Sequence, residues 1–368
     1  MEEPQLAVFI RGGHAPGVPK QILGNWKSVE EWPPKDQKQM TLFLQKGKIL
    51  NTLPGSLDSE TLVYKASAGI EASGSVMWWG DWSPDITKSE TNSLIYQTEP
   101  LNEDITILGF PSLDFNGAVS QPQAHFITRL SDVSPQNEVT LITGAGLNGS
   151  HRNSSSNPEF LKPHKIYSLS IDLHFTSWTF KKGHRIRVSI SNGQWPMIWP
   201  NPSGLDFTLQ LGGEQASALI LPVIDSINKD EIIFLKPNKD PKLKGYQTIQ
   251  SGTVSGFAEI SESTYNPETG IAQVIASNSG GTIYPWATWT SKERIVHQVN
   301  NFMPEYAKVT SDYQIEIKTK KKTLIWYGIF DFKSDSQHFY YKYTRELMDG
   351  SKLIRRKVWN DTILRDFQ

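Results

Sequence analysis

Residues 175–202 read Phe-Thr-Ser-Trp-Thr-Phe-Lys-Lys-Gly-His-Arg-Ile-Arg-Val-Ser-Ile-Ser-Asn-Gly-Gln-Trp-Pro-Met-Ile-Trp-Pro-Asn-Pro. Beyond a turn at Lys182-Gly183, His184, Ile186, Val188 and Ile190 alternate with Arg185, Arg187, Ser189 and Ser191, a period of two that places apolar residues on one face of a strand. Trp178 and Phe180 alternate in the same way before the turn, so the two arms are expected to pair as a hairpin with a buried aromatic face. Trp195-Pro196 and Trp199-Pro200 then end the ladder, because proline lacks a donor and restricts the residue ahead of it.

The same signature extends outward in both directions. Strand patterns occur at Met40 to Leu44, Leu62 to Tyr64, Leu94 to Gln97, Ile105 to Gly109, Ala124 to Leu130, Val139 to Thr143, Ile166 to Phe175 and Phe207 to Leu211, each bounded by turn residues. Short strands with long cross-connections and no convincing helical stripe predict an all-β, jelly-roll or galactose-binding-like sandwich over residues 36–224. A lysine-rich, polar stretch, 225–246, reads as a linker. Longer strand patterns from Thr253 to Trp359, with turns at Asn266–Gly270, Lys320–Lys322, Lys333–Ser336 and Asp349-Gly350, predict a second antiparallel β-meander over 247–368. The Lys318–Lys322 run reads as the solvated end of a hairpin.

Composition narrows the function classes. At 368 residues two domains are the expectation, and 37 basic against 38 acidic residues leave a net charge of -1, which gathers neither nucleic acid nor an anionic membrane. Without cysteine there is no thiolate nucleophile and no disulfide framework. The pattern of a soluble chain follows, with the cytoplasm favoured among compartments, no membrane or nucleic-acid partner, and a homo-oligomer left open.

Candidate chemistry is sparse. No Gly-x-Ser-x-Gly elbow occurs. Gly144-Ala145-Gly146-Leu147-Asn148-Gly149 matches Gly-x-Gly-x-x-Gly, but the Ser/Asn-rich sequence after it opens no helix to cradle a pyrophosphate, so it reads as a loop. The 8 histidines lack metal-ligand spacing, and no cofactor, metal or catalytic residue is expected. His184 reads as a core histidine, His125 and His151 lack a visible partner, and Asp132 reads as a turn cap. The remaining signal is aromatic. Trp26 and Trp32 lie in a Gly/Pro-rich stretch, residues 11–35, read as a loop; Trp78 and Trp79 lie in Trp-Trp-Gly-Asp-Trp-Ser-Pro; Trp195 and Trp199 lie in the Trp-Pro exit. These six tryptophans predict an apolar face that docks on another domain or, alternatively, stacks on sugars.

Gly-His-Arg-Ile-Arg-Val-Ser-Ile-Ser-Asn (183–192) resembles a signature of the C-terminal jelly roll of the X-Pro dipeptidyl-peptidase and cocaine-esterase group, the CocE/NonD hydrolases. Leu130-Ser131-Asp132-Val133, Thr143-Gly144 with Leu147, and His151-Arg152 are similar to a second segment of that domain. Asn25-Trp26 with Glu31-Trp32-Pro33-Pro34 looks like the connection that follows the family's catalytic domain, which makes residues 1–35 that connection. Pro267-Glu268-Thr269-Gly270 and Trp359–Asp366 resemble the extra C-terminal region of longer members.

The resemblance implies that the serine, aspartate and histidine of the triad belong to an α/β-hydrolase domain ahead of the jelly roll. The abrupt opening, Met1-Glu2-Glu3-Pro4 directly before apolar Leu6–Ile10, agrees with a chain that starts inside a longer protein. On this reading the chain is a non-catalytic portion, inactive alone, whose partner is the hydrolase domain of its parent. The parent would cleave an ester or amide through an acyl-enzyme, its substrate a proline peptide, an ester or a β-lactam amide. Two alternatives stand beside it: an independent carbohydrate-binding sandwich, and an enzyme whose triad is assembled from distant loops around His184, His125 or His151.

Overall fold

The computed structural model describes residues 6–17, 20–72, 85–225, 238–239, 241, 243–249 and 260–368. The fold is all-β, and the chain divides into two compact units. The first comprises Met1–Ala68, Val76–Gly193 and Leu205–Leu235; the second comprises Gly69–Ser75, Gln194–Gly204 and Lys236–Gln368.

In the first unit the strand Arg185–Ser191 lies mid-layer between His125–Val133 and Leu94–Gln97, and Val139–Asn148 pairs with the outer side of His125–Val133. The facing layer runs Gln37–Gln45, Ala218–Ile224, Ser112–Val119, Asp206–Leu211, Asp58–Val63. Phe126 from one layer meets Phe115 and Phe207 from the other edge-on, at 5.3 and 5.1 Å, which makes an aromatic centre for the sandwich. Ile186, Val188 and Ile190 are fully buried, as the alternation predicts.

Three local expectations are corrected. The arms around Lys182-Gly183 are not partners: Thr176–Phe180 pairs with Ile105–Gly109, while Arg185–Ser191 takes both its ladders from elsewhere. Asp104 splays them, accepting from the backbone of Lys182 and pairing with the Lys181 ammonium, both at 2.8 Å. Residues 11–35 contain a strand, Gly24–Val29, paired antiparallel with Leu6–Arg11 around a core of Val8, Ile10, Val29, Leu108 and Ile224. Finally, Gly144–Asn148 is strand rather than loop, with Gly144 opposite Arg129, where an added Cβ would sit 2.9 Å from the Thr128 carbonyl.

The second unit is built on a sheet in which Ile271–Ile283, Ala287–Asn300, Lys308–Thr319, Thr323–Ser334, His338–Asp349 and Lys352–Leu364 pair in sequence order, as a meander should. At one end, one face presents Ala272, Val274, Ala276, Val299 and Val309, all buried. Trp195 and Trp199 belong to this core. Trp195 is 1% exposed and lies 5.4 Å from Trp199 and 6.0 Å from the His297 ring. Burial lowers the His297 pKa to about 4, which keeps the imidazole neutral. Trp199 packs on Phe332 at 4.9 Å and donates from Nε1 to the Ser334 hydroxyl at 2.9 Å. Gly69 permits the close approach: its φ is +102°, and a Cβ there would lie 2.9 Å from the Trp195 carbonyl.

Candidate functional site

The register of the first unit assembles an exposed aromatic row. Thr176 pairs with Gly109, so Phe175 and Phe110, the residues just beyond that pair, emerge side by side with ring centroids 5.4 Å apart. Trp32, three residues past the strand Gly24–Val29, tilts onto Phe175 at 5.5 Å. All three remain open to solvent, Trp32 at 40%, Phe175 at 43% and Phe110 at 56%. Contiguous exposed rings of this size mark an interaction surface more often than chance decoration. Trp26 is also exposed, packed edge-on against its cross-strand partner Phe9 at 5.4 Å.

The expectation of six exposed tryptophans is corrected at Trp195, which is buried. Trp26 and Trp32 are exposed in the first unit, Trp195 is buried and Trp199 half-buried in the second, and Trp78 and Trp79 lie outside the described residues. Phe110 and Phe175 complete the row; each lies just outside a strand that is buried on both faces, so alternation gave no signal for them.

On the strand Thr176–Phe180, which follows Phe175, Trp178 organises a buried polar cluster. It donates from Nε1 to Asp132 Oδ2 at 2.9 Å, and His184 contributes Nδ1 to Asp132 Oδ1 at 2.8 Å. The His14 ring packs on Trp178 at 5.0 Å, and the Arg11 guanidinium lies over the indole at 5.1 Å while bonding the Thr176 hydroxyl at 2.6 Å and the Ser177 carbonyl at 3.0 Å. Gly13 lets the loop in, since a Cβ there would lie 3.3 Å from Asp132 Oδ2 and 2.9 Å from the Thr179 carbonyl. Burial pushes the Asp132 carboxyl above its ordinary value, against the pull of its two donors. Asp132 is thus a core acceptor, not the turn cap expected, because its strand continues to Val133 with every residue buried.

An aspartate holding a histidine through Nδ1 is two thirds of a charge relay. The missing third is a hydroxyl: among the described residues the side-chain partner of His184 is Asp132 and no serine joins it. His125 opens a central strand and is buried, and His151 lies in a short 3-10 turn. Among the described residues no group of His, Asp and Glu is placed to hold a metal ion, and no helix is long and apolar enough to cross a membrane. The cluster's chemistry is that of a satisfied core.

Comparison with known proteins decides the family. Residues 1–226 match the family described as the X-Pro dipeptidyl-peptidase C-terminal non-catalytic domain. The chain belongs to this family. As a member of the X-Pro dipeptidyl-peptidase C-terminal family it aligns with part of larger proteins. It is 24% identical over 250 residues to a cocaine esterase of Rhodococcus sp. (strain MB1 Bresler), covering 60% of this chain and 42% of that protein. It is 22% identical over 202 residues to a putative Xaa-Pro dipeptidyl-peptidase of Bacillus cereus, covering 54% of this chain and 32% of that protein. The chain therefore spans less than half the length of these curated relatives. Among solved structures, an aminopeptidase from the marine sediment archaeon Thaumarchaeota archaeon shares the fold at a TM-score of 0.50 and 20% identity, covering 54% of this chain and 39% of that one.

Proposed function

We propose that this chain is the accessory β portion of a serine hydrolase of the CocE/NonD type, and that its aromatic row seats against the α/β-hydrolase domain of the parent protein. The observation that carries the reading is the row itself, Trp32, Phe175 and Phe110, exposed on the unit that the family match covers. Burying three such rings against a partner supplies on the order of 5 kcal/mol of apolar transfer, enough to hold two domains that share one chain. The jelly roll then shapes one wall of a cleft whose nucleophile, base and orienting carboxylate come from the partner domain. The incomplete Asp132–His184 pair fits that division of labour, because it lacks a hydroxyl to activate.

A stacking platform for neutral sugars draws less support. It needs open ring faces, and Trp195 and Trp199 spend theirs inside the second unit.

The test is hydrolysis of p-nitrophenyl acetate and Gly-Pro-p-nitroanilide by this chain alone and by the same chain extended upstream in its parent sequence. Turnover only by the longer protein is the expected result. Turnover by the 368 residues alone overturns the reading and makes His184, His125 and His151 the residues to substitute.

A further inference from the structure

The second unit carries a groove that the family match does not reach. The strands Thr323–Ser334, His338–Asp349 and Lys352–Leu364 are neighbours in the meander. At the end of the sheet away from Trp195, a groove of about 410 Å³ is lined by Trp326, Arg345, Leu347, Arg355, Lys357 and Trp359, and by Glu346. The register puts the first six of these side chains on one face: Trp326 opposes Leu347, Leu347 opposes Arg355, and Arg345 opposes Lys357.

Three cations, Arg345, Arg355 and Lys357, line the groove together with one carboxylate, Glu346, which is itself paired to Arg356. Arg345 lies over the Trp326 ring at 3.7 Å and 6.0 Å from Trp359, and the Lys357 ammonium sits 4.5 Å over Trp359. Among the described residues no ion pair involves Arg345, Arg355 or Lys357. Like charges directly opposite one another on a sheet are destabilising, and Arg345 faces Lys357 in that way. The other face of the same two strands solves the problem in the ordinary manner, with Glu346 directly opposite Arg356 and paired to it at 3.3 Å.

We infer that this groove binds a linear acidic polysaccharide through its carboxylate or sulfate groups. A guanidinium held over an indole by cation–π attraction still has N–H donors to offer an oxyanion. Cross-strand Arg345 and Lys357 stand about 5 Å apart at Cβ, and Arg355 and Lys357, two residues apart on one strand, about 7 Å. That row suits charges repeated along an extended chain. Single-stranded nucleic acid also repeats its charge, but proteins that hold it offer open ring faces for the bases. Here those faces are taken: cations cover Trp326 and Trp359, and Tyr343 stacks on Trp359 at 5.7 Å with ring planes 22° apart.

The test is isothermal titration of the full chain, at low salt, with heparin oligosaccharide, polygalacturonate, dextran and a single-stranded oligothymidine. Binding of heparin or polygalacturonate, weakened as salt rises, is expected, with the pair separating sulfate from carboxylate recognition. Arg355 and Lys357 are exposed, so the R355Q/K357Q double variant keeps the fold, and it should bind at least about tenfold more weakly, the loss of one good charge-assisted contact. A K320Q/K321Q variant, altering the lysine-rich turn instead, should bind as the parent does. Heat with dextran, tighter binding of oligothymidine, no binding of either acidic glycan, or a loss confined to the K320Q/K321Q variant would each overturn the assignment.

Discussion

Replacing Glu90 by glutamine should cost the first unit about 3–5 kcal/mol, the range for removing one partner of a buried ion pair. Glu90 sits in a short 3-10 turn ahead of the strand Leu94–Gln97 and is almost completely buried. Its Oε2 accepts from Arg187 Nη1 at 2.8 Å, and the same guanidinium is bound by Gln97 Oε1 at 2.7 and 3.1 Å. Burial raises the Glu90 carboxyl above its ordinary value, with Arg187 and Arg129 pulling the other way. Arg129 is itself fully buried, and burial lowers its pKa to about 10. Glutamine keeps the shape and removes the negative charge that both guanidiniums feel. Urea titration followed by tryptophan fluorescence measures the effect. A loss below about 1 kcal/mol would mean that water reaches the cluster. An E90L/R187M variant removes that ion pair but leaves buried Arg129 without the Glu90 carboxylate, so it should recover only part of the loss.

The second large effect is expected at Asp132. Truncation to alanine leaves the Trp178 indole N–H and the His184 Nδ1–H inside the sandwich with no acceptor, at about 1–3 kcal/mol for each orphaned donor, so roughly 3 kcal/mol in all. Asparagine, which retains one acceptor oxygen, should lose about half as much. The measurement is again chemical denaturation, with hydrolysis by the upstream-extended protein as companion. A structural cluster predicts that turnover by the folded fraction persists. Abolished turnover with unchanged stability would instead place Asp132 and His184 in the chemistry.

Much of the fold can be read from alternation, because a period of two survives any tertiary context. Ile186, Val188 and Ile190 are buried in the order their spacing implies, and the meander turns fall where Lys320–Lys322 and Asp349-Gly350 place them. Alternation says which face a residue takes and nothing about which strand lies beside it. That is why the two arms around Lys182-Gly183 read as a hairpin although their ladders close with residues up to 96 positions away, as Ile190 does with Leu94. The strand Ser112–Val119 carries Leu113, Phe115 and Val119 in phase, but Asp114, Asn116 and Gly117 mask it as a turn.

The candidate site was legible only in part. Trp32 could be singled out by its Pro-rich setting, whereas its partners Phe110 and Phe175 become neighbours only through the pairing of Thr176 with Gly109. Trp195 and Trp199 looked like an exposed exit because proline ends a ladder. Nothing local could reveal that a sheet built 70 to 140 residues later supplies a pocket for them. The cationic groove was equally hidden, since Arg345 and Lys357 meet through register rather than through sequence spacing.

The docking face is tested most directly by hydrogen–deuterium exchange, comparing this chain with its upstream-extended form. The account predicts slower exchange in the extended protein for peptides spanning residues 30–34, 108–112 and 173–177, with exchange unchanged along Lys352–Leu364. Equal exchange at Trp32, Phe110 and Phe175 in the two proteins would contradict it, because a row that stays open beside the hydrolase domain is not the surface that holds it.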